Sequence, residues 1–272
     1  MVMRHKGFKY LDGLIHSGEK EIVLDADILL EDGEESQFLN GIELDIDFLT
    51  IRGDGHSIDA CGKTRIFDVT AMSVKLHDIV FKNACGEYGG AIKASSSLYV
   101  GDSIFQANHA EKSGGAIFNQ GPAAVRCENC SFLDNSAGHF GGAISNLCII
   151  NISECDFQNN KATRCGGAIF NHRRRMAECT DSSFSDNSSE CFGGAILNFG
   201  IFKVEDCNFK NNCAKKGGAI FTNPDEFIPL LRWRSVRTYC MLMDIDCDFE
   251  NNEGGDVFRS EKRLDQPIKT GL

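Results

Sequence analysis

The apolar residues of this chain come in short stretches, each separated from the next by glycine or polar residues. Between residues 141 and 165, for example, "GGAISN", "IINI" and "CDF" are followed by the polar run "QNNKATRC". Stretches this short, without the three- and four-residue spacing of a helix face, predict β-strands that turn at polar corners. The pattern therefore predicts an all-β fold.

Two motifs recur in phase along the chain. The tetrapeptide "GGAI" occurs at 89–92, 114–117, 141–144, 166–169, 193–196 and 217–220, so successive copies are 25, 27, 25, 27 and 24 residues apart. The pattern F-x-x-N accompanies it at Phe105/Asn108, Phe132/Asn135, Phe157/Asn160, Phe184/Asn187, Phe209/Asn212 and Phe249/Asn252. Three short strands per period are typical of one solenoid coil. We expect a single right-handed parallel β-helix whose coils stack ~4.8 Å apart.

Equivalent residues of stacked coils should form columns. The predicted core columns are Phe81, Phe105, Phe132, Phe157, Phe184, Phe209 and Phe249, and Ile92, Ile117, Ile144, Ile169, Ile196 and Ile220. The asparagines of F-x-x-N, and those at 119, 146, 171 and 198, should form hydrogen-bonded ladders at two corners. The doubled glycines indicate corners that need a positive φ or close packing.

The repeat pattern also predicts the domain organisation. Residues 1–40 form an N-terminal cap, a helix over Gly7–Ser17 plus the first strand, because a solenoid end must be covered. The β-helix occupies residues 41–258, with an insertion at 224–242, and residues 259–272 form a polar C-terminal tail.

Composition narrows the partners. The chain has 272 residues and a formal net charge of −11, which disfavours nucleic acid and anionic membranes. No run approaches the ~18 apolar residues of a membrane span, so membrane insertion is not expected. This chain shows no signal peptide or anchor, and its oligomeric state stays open.

The alternation of "GGAI" with F-x-x-N resembles the repeats of polymorphic outer-membrane proteins. The run "IELDIDFLTIRGDGHSIDA" is similar to the start of adhesin-like β-helix proteins of methanogenic archaea, in the pectin-lyase-like superfamily. The resemblance implies a secreted or cell-surface binding protein whose partner is carbohydrate or protein. That superfamily also includes polysaccharide lyases and glycoside hydrolases, so an enzyme acting on acidic glycans is the alternative that the resemblance implies.

The 13 cysteines do not form zinc-binding pairs, except for the C-x-x-C spacing of Cys127 and Cys130. Both fall in core columns, which favours reduced cysteine used as a small core residue. Stacked Cys130 and Cys155 would have their Cα atoms within disulfide range but parallel Cβ directions. The "RGD" at 52–54 lies within "IRGDGHSID", where two glycines make a corner between strands, and is interpreted as a turn.

A column of mostly acidic residues stands three positions before each core phenylalanine. Asp and Asn favour tight corners because they bond local backbone donors, which gives a purely structural interpretation. Stacked carboxylates also suit Ca²⁺, and the sequence indicates no other cofactor. The candidate Ca²⁺ ligands are Asp102, Glu154, Asp181, Asp206 and Asp246.

One position after each core isoleucine, the chain carries Lys93, Phe118, Ser145, Phe170, Leu197 and Phe221. If the isoleucines point inward, these side chains form an apolar outer stripe. Such a stripe is either a binding surface or is covered by another segment or subunit.

Two corners depart from the template and carry basic residues. They are "HRRR" at His172–Arg175 and the insertion "PDEFIPLLRWRSVRTYCML". Both follow the same strand two coils apart, so the loops should project ~10 Å from each other. Guanidinium groups beside aromatic rings could grip an anionic sugar or a carboxylate-bearing partner, although a solvated loop without function fits too. The candidate ligand-binding residues are His172, Arg173, Arg174, Arg175, Arg232, Trp233, Arg234, Arg237 and Tyr239.

Catalysis has weaker support than binding. A hydrolase needs Asp or Glu pairs that converge on one groove, and a lyase needs a carboxylate Ca²⁺ cluster beside a base. Neither stands out among the long strands, so the sequence predicts no catalytic residues and favours a non-catalytic, adhesin-like binding module.

Overall fold

The computed structural model describes residues 5–173, 175–222 and 241–259. In these residues every pairing between named strands is parallel, and the named strands form three nine-stranded sheets and one five-stranded sheet. Consecutive strands fall in different sheets, and each strand pairs with the equivalent strand of the next coil. This is the stacked parallel β-solenoid with coils of about 25 residues that the repeat period predicted.

Helix α1 spans Phe8–Ile15, and the strands are numbered in chain order. The long-strand sheet contains β1 Glu21–Val23, β4 Leu49–Arg52, β7 Ser73–His77, β11 Ser97–Gly101, β15 Ala124–Glu128, β19 Ile149–Ser153, β23 Met176–Thr180, β27 Ile201–Glu205 and β30 Met241–Ile245. The Phe sheet contains β2 Ile28–Leu29, β5 Ser57–Asp59, β8 Val80–Lys82, β12 Ile104–Gln106, β16 Ser131–Leu133, β20 Asp156–Gln158, β24 Ser183–Ser185, β28 Asn208–Lys210 and β31 Asp248–Glu250.

The Ile sheet contains β3 Ile42–Leu44, β6 Phe67–Val69, β10 Ile92–Ala94, β14 Ile117–Asn119, β18 Ile144–Asn146, β22 Ile169–Asn171, β26 Ile196–Asn198, β29 Ile220–Thr222 and β32 Val257–Arg259. The short corner sheet contains β9 Cys85–Tyr88, β13 His109–Ser113, β17 Ser136–Ala137, β21 Lys161–Ala162 and β25 Ser188–Ser189.

The predicted core columns are confirmed. Neighbouring rings of the phenylalanine column lie 4.7–5.1 Å apart between centroids, and their planes differ by at most 13°. The six predicted core isoleucines are fully buried. Because parallel strands in register place identical residues at the strand spacing, one residue type repeated per coil produces a continuous stack.

The asparagine ladder is confirmed as well. Asn160 Nδ2 donates to Asn187 Oδ1 at 3.0 Å and to the Phe132 carbonyl at 2.9 Å. Asn160 Oδ1 accepts from the backbone N–H of Asn135 at 3.1 Å. The same arrangement recurs between neighbouring coils from Asn108 to Asn252, so the buried corner satisfies its own polar groups.

The doubled glycines turn the chain for two separate reasons. The first glycine of each "GGAI" has a φ between 62° and 71°, which side chains rarely adopt. The second packs against backbone; a Cβ on Gly167 would lie 2.0 Å from the Gly194 carbonyl oxygen. The "RGD" is also a corner, with Asp54 at φ 48°.

Helix α1 covers the N-terminal end of the core, as predicted. Phe8, Leu11 and Ile15 are fully buried. Glu34 caps the helix by accepting the backbone N–H groups of Phe8 and Lys9, each at 2.9 Å. A carboxylate is favoured there because the first N–H groups of a helix lack intrahelical partners.

The apolar stripe beside the isoleucines is covered by other segments of the chain. Phe118, Phe170, Leu197 and Phe221 are each at most 6 % exposed. The last three belong to a second hydrophobic cluster, which also contains Phe140, Cys165 and Phe199. Phe140, Cys165 and Phe192 pair in parallel between coils just before the glycine corners. Of the two interpretations of the stripe, the covered one is correct.

Candidate functional site

The predicted basic corner is only partly within the described residues. Arg174 and the five insertion residues Arg232, Trp233, Arg234, Arg237 and Tyr239 lie outside them, so their grouping with His172 stays a prediction. The corner at 172–175 does connect β22 to β23, while the insertion follows β29, two coils further on, as expected.

The described basic residues differ in their surroundings. The His172 ring packs edge-on against Phe170, 5.7 Å between centroids, and the Arg173 guanidinium lies 5.9 Å from the centre of the Phe199 ring. Burial lowers the pKa of His172, and the nearby arginines lower it further, so its imidazole is neutral at pH 7. Arg175 is exposed and directly precedes strand β23.

The acidic column lies at exposed corners between the long-strand sheet and the Phe sheet. Its members have φ values between 47° and 54°, the left-handed region that Asp and Asn tolerate best. This backbone conformation supports the structural interpretation for Asp102, Glu154, Asp181, Asp206 and Asp246. Among the described residues, no three His, Cys, Asp or Glu side chains are grouped so that they could hold a metal ion. Ca²⁺ binding along the column stays a prediction.

The outer face of the long-strand sheet is an extended exposed surface with aligned side chains. Alternate residues of each strand point outward, and the parallel register aligns them in columns. We define three columns on this face. The apolar column is Ala124, Ile149, Met176 and Ile201; the middle column is Lys75, Tyr99, Arg126, Asn151, Glu178 and Lys203; the outer column is His77, Gly101, Glu128, Ser153, Thr180 and Glu205.

The apolar column exposes hydrophobic side chains in adjacent coils. Ile149 is 41 % exposed and its register partner Met176 is 54 % exposed. Arg175 stands one residue before Met176, so the predicted basic corner borders this column. An apolar strip beside cationic and hydrogen-bonding groups has the composition of a binding surface.

A shallow groove of about 290 Å³ crosses the middle and outer columns. Arg126, Glu128 and Glu178 line it, with Asn151 and Thr180 between them. Glu178 accepts a hydrogen bond from Lys203 Nζ at 3.0 Å, and Glu128 accepts one from the Tyr99 hydroxyl at 3.1 Å. Burial and the Glu128 carboxylate raise the pKa of Tyr99 to about 12, so the phenol stays protonated and donates.

A larger cleft of about 440 Å³ lies near the N-terminal end, beside the corner sheet. Buried Arg65 donates to the carbonyls of Gly89, Asn40 and Tyr88, and Lys93 pairs with Asp68 at 3.1 Å. The two cations of this cleft, Arg65 and Lys93, already have partners within the chain. We therefore assign Arg65 a structural role.

The long-strand face is not evident from the sequence motifs. Its outward residues differ from coil to coil, so they produce no motif in a self-comparison. Alternation within five-residue strands such as "AVRCE" and "MAECT" could have identified them, because the inward positions are Val, Ala and Cys.

Among the described residues, no helix is long and apolar enough to cross a membrane.

The stacked sheets, asparagine ladder and glycine corners define a parallel β-helix repeat protein. Five segments of the chain, residues 102–120, 129–147, 154–172, 181–198 and 206–223, match the repeat described as the Chlamydia polymorphic membrane protein repeat. The resemblance based on "GGAI" and F-x-x-N is confirmed at this level. No curated protein and no solved structure matches the chain, so the archaeal adhesin and pectin-lyase-like resemblances stay predictions.

The matched segments and the long-strand face occupy different parts of each coil. A segment such as 129–147 runs from the acidic corner through the Phe strand and the glycine corner to the second asparagine. Strands β15, β19, β23 and β27 fall between the matched segments. The matched repeat thus covers the scaffold, and these long strands lie outside the matched segments.

Proposed function

We propose that this protein is a non-catalytic, adhesin-like binding module that holds a carbohydrate or protein partner on the outer face of its long-strand sheet. The observation that carries the proposal is the position of this exposed face outside the repeat matches, on strands that the repeat scaffold holds in register. Solenoids commonly bind along such extended surfaces.

The face suits a long partner better than a small one. Its columns repeat at the coil spacing of ~4.8 Å, so a chain laid along the solenoid axis meets equivalent positions in successive coils. The groove offers only about 290 Å³, at the lower limit of pockets that enclose small ligands. An extended surface with both apolar and hydrogen-bonding columns favours a polymer or another protein.

The repeat matches support a location at the cell surface, because the repeat is described as one of membrane proteins. The basic corner at His172–Arg175 extends the proposed surface beyond the apolar column. The insertion residues Arg232, Trp233, Arg234, Arg237 and Tyr239 are part of the same proposal, since their loop follows an equivalent strand.

The test is binding of the intact protein to a glycan array and to cell-surface protein extracts, followed by the same measurement on variants. Ile149→Ser with Met176→Ser removes the exposed apolar side chains, and we expect binding to fall at least tenfold. Gln106→Ser with Gln158→Ser, two exposed positions on the Phe sheet, is the matched control and should bind normally. Equal binding by both double variants would rule out the long-strand face.

The basic corner is tested separately with an Arg173/Arg232/Trp233 triple-alanine variant. Loss of binding to acidic ligands, with neutral ligands unaffected, is the expected result. Unchanged binding to every ligand would remove the corner from the proposed surface.

Catalysis remains the second candidate, because Glu128 and Glu178 line one groove with Arg126. The two residues lie two coils apart, roughly 9.6 Å along the axis, and in different columns, so their backbone positions are further apart than the ~6.5–9.5 Å between the carboxyl groups of inverting hydrolases, and the side chains would have to converge. Incubation with polygalacturonate and related glycans, followed by ultraviolet absorbance and reducing ends, decides between the two functions. Turnover abolished by Glu178→Gln would favour the enzyme.

A further inference from the structure

We infer that the long-strand face contains a subsite for a carboxylate-bearing sugar residue, built by Tyr99 between Lys75 and Arg126. The inference deepens the proposed function and rests on it, since it names the ligand class of one part of that face. Three features carry it: a fixed aromatic ring, two cations without partners, and a neutral imidazole.

The Tyr99 ring is fixed in place by its neighbours. A Cβ on Gly101 would lie 2.8 Å from the Tyr99 hydroxyl oxygen and 2.9 Å from its Cε1 atom, so the ring leans over the glycine. The hydroxyl then reaches Glu128 in the next coil at 3.1 Å. Gly101 is the only outward position of strand β11 after Tyr99. Because glycine has no side chain, the Tyr99 ring can lie over position 101. An aromatic ring held in this way on a sheet offers a flat apolar surface on which a sugar can stack.

His77, in the preceding coil, borders the Tyr99 ring on the same face. Its ring lies 5.0 Å from the Tyr99 ring between centroids, and its Nδ1 atom is 3.2 Å from the place of the absent Gly101 Cβ. Burial lowers the pKa of His77, and the charges of Arg52 and Lys75 lower it further. A neutral imidazole offers one donor and one acceptor, which suits a hydroxyl-bearing ligand.

The charges around Tyr99 leave two cations without partners. Lys75 and Arg126 are the register partners of Tyr99 in the coils on either side, so each stands ~4.8 Å from it along the axis. Both are exposed. Within the described ranges, neither side chain has a hydrogen bond or salt bridge, so both cations are free to meet an anionic ligand.

Three other charged groups of this patch have partners of their own. Arg52 pairs with Glu21 at 2.9 Å, Glu128 accepts from Tyr99, and Asp102 accepts from Asn129 Nδ2 at 2.8 Å. Glu128 and Asp102 keep their negative charges, because their hydrogen-bond donors are neutral. The patch therefore carries both signs of charge, and its attraction for an anionic ligand comes from Lys75 and Arg126. A guanidinium and an ammonium group flanking a ring match a sugar whose ring stacks on Tyr99 while its carboxylate reaches one of the cations.

The probes are oligogalacturonate, a hyaluronan oligosaccharide and a sialylated trisaccharide, each paired with its carboxyl-reduced neutral form. We expect the protein to bind at least one acidic probe more tightly than its neutral counterpart, by about tenfold, since a charge-assisted hydrogen bond contributes roughly 1.5 kcal/mol or more. The preference should weaken at high salt, because both cations are exposed. No preference for any acidic form would overturn the inference.

Variants of the proposed subsite show which residues cause the preference for acidic sugars. Lys75→Gln with Arg126→Gln should abolish the acidic preference, and Gly101→Ala should weaken all sugar binding by displacing the Tyr99 ring without changing charge. Tyr99→Phe keeps the ring and removes only the hydroxyl, so it should retain most of the affinity if the ring is the platform. Lys203→Gln is the matched control, because Lys203 belongs to the same column but already pairs with Glu178. Thermal unfolding of each variant establishes that the fold is intact.

The outcomes separate this inference from the proposed function. If acidic sugars bind but the Lys75/Arg126 variant binds them normally, the subsite is wrong and the binding module stands. If binding is lost with Ile149→Ser and Met176→Ser alone, the partner contacts the apolar half of the face and the subsite is again wrong. If no glycan and no protein binds at all, both proposals fail.

Discussion

Single asparagines hold the coils of this solenoid in register. Each buried ladder asparagine links three coils, because its amide nitrogen donates to the next asparagine and to a phenylalanine carbonyl while its oxygen accepts from the previous coil. Such a group cannot be replaced by an apolar residue without leaving other buried donors and acceptors unpaired. The ladder therefore specifies the stacking of neighbouring coils as well as stabilising it.

Asn160→Ala tests this role. The substitution removes the acceptor of the Asn135 backbone N–H, one of the two acceptors of the Asn135 amide, and the Asn160 amide that donates to the Phe132 carbonyl. A buried polar group left unsatisfied costs about 1–3 kcal/mol, and each further hydrogen bond lost adds to the total. We expect the free energy of unfolding in urea to fall by roughly 3 kcal/mol or more. Asn208→Ala, at an exposed outward position of strand β28, should change it by less than about 0.5 kcal/mol. Similar losses for the two variants would contradict the ladder's role.

What the sequence could predict at this scale depends on repetition. Phe132, Asn135 and Ile144 have the same identity in coil after coil, because each touches its own counterpart above and below. Tyr99 and Glu178 contact different residues in each neighbouring coil, so no pattern singles them out. The scaffold was therefore predictable to the residue, whereas the candidate binding face required the register of the strands.

At the scale of the elements, the glycine corners join the corner sheet to the Ile sheet at a fixed backbone separation. The two glycines of one "GGAI" are needed for different reasons. The first adopts a positive φ, and the second leaves no room for a Cβ atom. The space is taken by the carbonyl of the equivalent glycine in the next coil. The corner thus limits how closely neighbouring coils can pack.

Gly167→Ala should be among the most damaging single-methyl changes in the chain. Its new Cβ would lie 2.0 Å from the Gly194 carbonyl oxygen and 2.6 Å from two Ser188 backbone atoms, and backbone cannot rotate away as a side chain can. We expect a loss at or above the roughly 3 kcal/mol upper range of overpacking. Gly13→Ala in helix α1, where nothing lies within 4 Å, should instead stabilise by about 0.5–1 kcal/mol. Chemical denaturation of both variants measures the contrast, and a mild effect at Gly167 would mean that the coils can separate.

For the apolar stripe beside the isoleucines, the sequence predicted the position of the side chains but not whether they are covered. Phe170 and Phe221 were placed correctly on the outer side of the Ile strands, but the residues that cover them come from a different part of the coil. Phe140 and Phe192 precede the glycine corners and fold back over the Ile sheet. Because that contact depends on the angle of the corner, spacing alone could not decide between a covered and an open stripe.

For the whole molecule, a solenoid is stabilised chiefly by contacts between neighbouring coils, so an end coil with one neighbour is held less firmly than a middle coil. The two ends of this chain differ. Helix α1 buries Phe8, Leu11 and Ile15 against the first coils. In the coil of β31, by contrast, Phe249 is only partly buried, although it still stacks on Phe209 at 5.1 Å.

Hydrogen exchange should therefore show a gradient of protection along the axis. Amides of β16 and β20, in the middle of the Phe sheet, should exchange most slowly, and those of β31 should exchange fastest among its strands, with β5 between them because the helix supports the N-terminal end. Leu11→Ser in α1 should raise exchange in the first coils and leave β28 and β31 unchanged, since coupling passes only between neighbours. Uniform protection from β5 to β31, or a change at both ends in the Leu11 variant, would mean that the solenoid unfolds as one cooperative unit rather than coil by coil.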